Sequence, residues 1–189
     1  MPLTLLVITG LPASGKTYLG SRLAGQLGWP LVSKDEYKET LHDHLPDLTR
    51  QQAGPLSFEI MYHVAGVVLA AGVNVVLETH FYRGVSEPIL TALAEKYGAT
   101  ISQVFCHAPL AELIRRHDER VAVGDHPHIH QSWLYQTPVP DHACSEPLVL
   151  PGELLRLNTT QSDTVSDALA WVQAQRRFAQ GRRGDTLPS

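Results

Sequence analysis

Cysteine is scarce in this chain of 189 residues, with Cys106 and Cys144 its two instances. A pair so placed, one closing an apolar run and one in a proline-rich stretch, supplies no disulfide framework and suits a reducing compartment. Basic excess is missing as well. Lys and Arg number 15 against 19 Asp and Glu, a net charge of −4, and proteins that live on nucleic acid usually carry a basic footprint. Long hydrophobic runs are also missing: none reaches the roughly 20 apolar residues of a membrane span. The first apolar run, Leu3–Thr9, is short and has no basic leader, unlike a secretion signal. These absences lead us to expect a cytoplasmic protein. With 43% hydrophobic and 18% charged residues, the chain has enough apolar mass to bury a substantial core as one domain. That domain is expected over 1–179, followed by a flexible tail over 180–189, which carries no apolar periodicity.

Directly after Leu3–Thr9 stands Gly10-Leu11-Pro12-Ala13-Ser14-Gly15-Lys16-Thr17, a complete G-x-x-x-x-G-K-[ST] loop. Glycine at both ends lets the backbone wrap an anion with successive N–H groups turned inward. Lys16 is placed to reach the β- and γ-phosphates of ATP, and Thr17 offers a hydroxyl to Mg²⁺. The helix that follows, with Tyr18 in its first turn, presents the positive end of its dipole to the same phosphates.

Apolar runs alternate with helix-period segments, the pattern of β-α-β units and a parallel sheet covered on both faces. Strands are expected near 3–9, 30–32, 73–78, 100–106 and 153–158. Helices are expected at 16–27, 35–44, 56–71, 86–97, 109–121 and 163–179, with Ser162 capping the last and Pro88 in the first turn of the fourth. The segment 124–147 breaks this rhythm. It holds four prolines and four histidines without any Lys or Arg, and a loop of such length in a compact domain is usually a lid or binding element.

Ligands in open parallel sheets gather at the carboxyl ends of the strands, and three groups of residues fall there. Asp35, after the second strand, could accept a proton from an alcohol during phosphoryl transfer, cap the helix it opens, or do both. Glu78 closes the third strand where an acid could hold a water on Mg²⁺. Beyond it, Thr79, His80 and Arg83 are candidate substrate contacts or ordinary loop polarity. On the helix opened by Pro109, Arg116 and Arg120 share a face and could form a lid that supplies charge to the transferring group. Glu112, Arg115 and Glu119 stand at the spacing of a solvated ion-pair lattice on the same helix, the plain alternative. His126, His128 and His130 alternate so as to share one side if extended, and could contact an acceptor, bind metal or be simple loop residues. Trp133 and Tyr135 could stack on a ring or pin the loop.

Gly10–Thr17, Ser33-Lys34-Asp35-Glu36-Tyr37-Lys38, Glu78-Thr79-His80, Ala94–Gly98 leading to Val104–Pro109, and Glu112–Arg116 together resemble the AAA_33 group of P-loop kinases. That group includes polynucleotide 5′-hydroxyl kinase domains, with zeta-toxin-like and chloramphenicol phosphotransferase-like enzymes as broader relatives, and the likeness covers most of residues 3–120. It implies a three-layer α/β P-loop fold of nucleoside-monophosphate-kinase type, with five parallel strands in the order 2-3-1-4-5. It implies Asp35 as general base, Arg116 as a lid arginine, and ATP with Mg²⁺ bound by the loop. Lys38 falls where polynucleotide kinases usually have an arginine on the acceptor phosphate, and Asn158, Thr159 and Thr160 fall where the last strand meets adenine. The His-Pro pair after the lid helix resembles a feature of other AAA_33 kinases and implies a substrate role for the histidines. The resulting expectation is a kinase acting on a small-molecule or nucleotide-like hydroxyl. The alternatives are a polynucleotide 5′-hydroxyl kinase and a regulatory ATPase that transfers nothing to an alcohol.

Overall fold

The computed structural model describes residues 3–124 and 145–184, with side chains as far as Phe178. In chain order the elements are β1 (Leu3–Thr9), α1 (Lys16–Leu27), β2 (Leu31–Ser33), α2 (Lys34–His44), α3 (Arg50–Ala70), β3 (Val75–Glu78), α4 (Ser86–Tyr97), β4 (Ala99–His107), α5 (Leu110–Val123), β5 (Gly152–Asn158) and α6 (Thr164–Gly184). All strand pairs are parallel, and the sheet runs β2-β3-β1-β4-β5. This is the P-loop kinase-type order that the sequence implied.

The central strand explains the layering. Successive side chains of a strand point to opposite faces, so Leu5 and Val7 enter one core and Leu6 and Ile8 the other. On the first face they meet Met61, Ala65 and Leu69 of α3, Leu90 and Ala94 of α4, and Phe81. On the second they meet Leu19 and Leu23 of α1 and Ala168 and Val172 of α6. Each fully buried aliphatic side chain contributes about 1.5–3 kcal/mol, which is why a strand with no polar face holds the middle of the sheet.

Three boundaries differ from the sequence expectation in ways with a clear local cause or consequence. α3 starts at Arg50 rather than 56, because Thr49 and Gln52 form a capping box that opens the helix ahead of Gly54-Pro55. α6 begins at Thr164, and the carbonyl of Asp163, not Ser162, accepts its first backbone bond, from the Asp167 N–H. α6 also continues to Gly184, so the expected tail is helical over 180–184. A lack of apolar periodicity does not stop a helix when residues such as Gln and Arg favour it. Finally, α3 is by length and composition apolar enough to cross a membrane, yet it lays Ala53, Ser57, Met61, Ala65 and Leu69 into the protein.

The chain is anchored on both sides of residues 125–144, which lie outside the described structure. Before them, Gly124 caps α5 in the left-handed region, its N–H donating to the carbonyls of Arg120 and Val121. After them, the buried Gln103 of β4 orients its amide to donate to the Leu148 carbonyl at 3.0 Å and accept from the Leu148 N–H at 2.9 Å. The Val149 N–H donates to Glu87 of α4 at 3.4 Å.

Candidate functional site

Because every strand is parallel, all five carboxyl ends share one edge of the sheet, and the strand order spreads the candidate residues along it. Asp35 follows β2, Glu78 ends β3, the glycine loop follows β1, and Thr159 follows β5. The loop therefore lies between an aspartate side and a threonine side.

The loop itself is shaped by two left-handed residues and one close approach. Gly10 has φ of 143°, Ala13 of 61° and Gly15 of 87°. A Cβ at Gly10 would stand 2.2 Å from the Cys106 carbonyl oxygen of β4 and 2.8 Å from Ser14 Oγ. Gly10→Ala is thus expected to cost about 3 kcal/mol or more, through a disfavoured φ and a backbone clash together. Gly25→Ala serves as control, since nothing lies within 4 Å of its Cβ position and it sits in α1, where alanine gains roughly 0.5–1 kcal/mol. Thermal melts check both, and a Gly10→Ala protein as stable as the control would contradict the steric argument.

Ser14 donates its N–H to the Leu11 carbonyl at 3.1 Å. The same carbonyl accepts from Lys16 Nζ at 3.0 Å, so the lysine is folded over the loop it belongs to. Ser14 Oγ is buried and has no partner among the described residues. A buried hydroxyl left open within a glycine-shaped loop fits an anion-binding role. The fit to phosphate is good: glycine-permitted backbone, a lysine and a helix N-terminus converge there.

On the aspartate side, Glu78 is buried at the end of β3. It accepts hydrogen bonds from Ser33 Oγ at 2.9 Å and Thr17 Oγ1 at 3.4 Å. Burial pushes its carboxyl above the usual range; Lys16 opposes the rise, the Asp35 charge adds to it, and the two hydroxyls oppose it. Hydroxyl and carboxylate oxygens beside a phosphate loop suit Mg²⁺, a hard cation that takes oxygen ligands, so Thr17 and Glu78 are the residues that could hold it. An acid whose folded pKa is raised costs stability as pH rises from its unfolded value through its folded one. Glu78→Gln is therefore expected to leave the metal-free protein at least as stable as wild type at neutral pH. If Thr17 and Glu78 hold Mg²⁺, the substitution should also reduce any rise in melting temperature on adding ATP with Mg²⁺. A lower melting temperature without metal would refute the assignment of strain to this carboxylate.

Asp35 lies in the first turn of α2, and Lys34 Nζ is 3.0 Å from its Oδ1. Burial would raise the Asp35 carboxyl, but the Lys34 charge and hydrogen bond, then Lys16 and Lys38, outweigh it and hold the group below its ordinary value. Asp35 makes no side-chain cap, and Ser33 is the N-cap residue, so the capping alternative is not what this structure uses. Lys38 is half-buried, and burial followed by the charge of Lys34 pushes its ammonium down.

His80 Nδ1 faces the Gly10 carbonyl at 3.4 Å, and its ring meets Tyr82 edge-on. Burial, then Lys16, drive its pKa to about 4, so the ring is neutral. A carbonyl only accepts, so Nδ1 carries the proton and Nε2 is left as an acceptor. Thr79 Oγ1 is buried without a partner among the described residues. Arg83 is exposed on the following turn. Phe58 and Lys34, both drawn into the cluster, were not among the sequence candidates; the cation of one lies over the ring of the other.

On the threonine side, Arg116 donates from Nε to Glu112 at 2.7 Å and from its two terminal nitrogens to Thr159 Oγ1 at 3.0 Å and the Thr159 carbonyl at 3.1 Å. Glu112 and Glu119 also pair with Arg115. The lattice expected on α5 is thus present, and it coexists with a docked Arg116. Hydrogen bonds from Arg115 and Arg116 hold the Glu112 carboxyl down at about 2.

Arg116 and Arg120 line a cavity of about 540 Å³ with Gly15, Tyr18, Thr159 and Gln161. Thr159 lies 3.5 Å from a Cβ position on Gly15, so the end of β5 abuts the phosphate loop. Asn158 Oδ1 accepts from the Thr160 N–H and hydroxyl, an Asx turn that shapes this corner. The expected contacts His126, His128 and His130 lie outside the described residues, as do Trp133 and Tyr135.

The AAA_33 family model, an AAA domain, matches residues 5–135. Among curated proteins none matches the chain. A kinase-assigned protein from Chloroflexus aurantiacus J-10-fl has a similar structure, with 28% identity and a TM-score of 0.79 over 93% of this chain and 99% of that one. The APS kinase of Mycobacterium tuberculosis, solved with AMPPNP and APS, shares 18% identity and a TM-score of 0.64 over 92% and 98% of the two chains. A gluconokinase from Sinorhizobium meliloti 1021 shares 19% identity and a TM-score of 0.55 over 98% of each.

Proposed function

The chain belongs to the AAA_33 family, and from that membership we propose that it is an ATP-dependent kinase that moves the γ-phosphoryl group to the hydroxyl of a small or nucleotide-like molecule. The observation that carries this reading is the company Asp35 keeps. An ionised carboxylate lies at the sheet edge within the electrostatic reach of Lys16 and Glu78, beside the loop and away from the cavity edged by Arg116. Phosphoryl transfer needs an acceptor hydroxyl oriented on one side of the γ-phosphate and the nucleotide held on the other, and these two sides flank the glycine loop.

In this reading Lys16 leaves the Leu11 carbonyl for the β- and γ-phosphates. Thr17 and Glu78 hold Mg²⁺, which when bound neutralises phosphate charge. Asp35 orients the acceptor and takes its proton. Arg116 and Arg120 close the nucleotide cavity, and Arg116 adds charge where the transition state needs it. Two neighbours of the same fold are named an APS kinase, solved with AMPPNP and APS, and a gluconokinase, names that go with a small-molecule class. Lys38, a half-buried cation one helical turn from Asp35, would meet an anionic group on the acceptor.

The test is transfer of labelled phosphate from ATP with Mg²⁺ to a panel of alcohols, nucleosides, sugars, antibiotics and oligonucleotides. Labelling of a small hydroxyl compound and poor labelling of oligonucleotides is the expected result. Efficient oligonucleotide labelling with binding that falls steeply in salt would replace it with a polynucleotide kinase. ATP hydrolysis without any labelled acceptor, unaffected by loss of the Asp35 carboxylate, would replace it with a regulatory ATPase.

A further inference from the structure

Adjacent residues on a helix do not face each other, yet Lys34 and Asp35, the first two residues of α2, form an ion pair at 3.0 Å. The cause lies on α3. The Lys34 ammonium stands 5.5 Å from the centroid of the Phe58 ring, whose negative face attracts a cation. Phe58 is itself fixed by neighbouring rings, Tyr62 at 6.0 Å and Tyr82 at 5.7 Å between centroids. The Lys34 side chain is only 13% exposed, so the freedom a surface lysine would lose on pairing is already restricted by packing.

We propose that Lys34 is a positioning residue for Asp35: held against the Phe58 ring, its ammonium occupies Oδ1 and leaves Oδ2 as the carboxylate atom that meets the acceptor hydroxyl. The inference rests on the kinase reading. In the step it serves, the acceptor O–H bond breaks as the new O–Pγ bond forms. The bond from Pγ to the bridging oxygen breaks, its electron pair leaves with ADP, and the proton passes to Oδ2. Lys34 gives and takes no proton. The titratable groups facing Asp35 are Lys34 and Lys38 on α2, Lys16 from the loop, and Glu78 and the neutral His80 from the end of β3. Arg50 at the start of α3 faces Lys38. Lys34 is the one of these in hydrogen-bond contact with the carboxylate.

The experiment uses the full chain with aspartate labelled at ¹³Cγ, the Asp35 resonance being identified by its loss in Asp35→Asn. In Lys34→Met the Asp35 carboxyl is expected to titrate at higher pH than in wild type. Lys34→Arg should return it toward the wild-type value, and Phe58→Leu, which keeps both charges, should move it upward by less. An unmoved Asp35 titration in Lys34→Met overturns the proposal. If that variant fails to fold, an unmoved titration in Phe58→Leu overturns it instead.

A second readout is ATP hydrolysis with Mg²⁺ and no added acceptor, water taking the place of the hydroxyl. Lys34→Met should lower it by about tenfold or more, a part of what a positioned base contributes. Arginine should rescue it, with ATP affinity unchanged throughout. Wild-type hydrolysis in Lys34→Met, where Asp35→Asn is slow, also overturns the proposal. Undiminished hydrolysis in Asp35→Asn would strike the kinase reading of Asp35 instead, while the titration still decides whether Lys34 holds it.

Discussion

Lys16→Ala should weaken ATP–Mg²⁺ binding by about 10–100-fold, the value of one charge-assisted hydrogen bond to phosphate. Phosphoryl transfer should fall by roughly 10²–10³-fold, as when one preorganised electrostatic contact is deleted. The argument is local. Lys16 is 7% exposed, and its ammonium already lies on the Leu11 carbonyl inside the loop. Calorimetry with ATP and Mg²⁺ gives the affinity, and labelled-phosphate transfer gives the rate. A folded Lys16→Ala protein with unchanged affinity would remove the phosphate-loop assignment, whatever the fold.

Asp35→Asn should behave differently. The amide keeps the shape and can still receive Lys34, but it cannot take a proton, so turnover should fall by about 10²–10⁴-fold while ATP affinity holds. The pH dependence carries a sign. Because its surrounding ammonium groups hold Asp35 below the ordinary carboxylate value, the ionised form persists as pH falls through the normal aspartate range. Wild-type transfer should therefore keep its rate on the acid side until the pH passes beneath that range. A rate that declined already near pH 6 would point to a group other than Asp35, either another base or the Glu78 carboxyl, which burial raises. His80 does not qualify, since its ring titrates at about 4.

What could be read from the chain divides by distance along it. The phosphate loop was legible because its residues are consecutive, and the lattice of Glu112, Arg115 and Glu119 because helical spacing fixes which side chains meet. The strand order followed from a family resemblance. Asp35 and Glu78 could be placed at the sheet edge, since a strand that ends in a carboxylate must deliver it there. Their relation could not: that Ser33 holds Glu78 and that Phe58 turns Lys34 toward Asp35 depend on how β3 and α3 pack against α2. The docking of Arg116 on Thr159 was hidden for the same reason, because it joins α5 to the end of β5. The start of α3 was missed for a smaller cause, as Gly54-Pro55 reads as a breaker unless the Thr49 and Gln52 box is weighed against it.

The clamp of Gln103 on Leu148 has a bearing on how such a protein can diversify. The chain leaves the scaffold at a capped helix end, Gly124. It returns at Leu148, gripped through its own backbone by a side chain of β4, so the re-entry point is specified without reference to what is inserted between. The register of β5 against β4 is set after that point. Changes of length between those two anchors are therefore expected to leave the registration of β5 on β4 intact. Chimaeras that graft this interval from one relative to another should keep their melting temperature, and natural insertions in the family should accumulate between the two anchors.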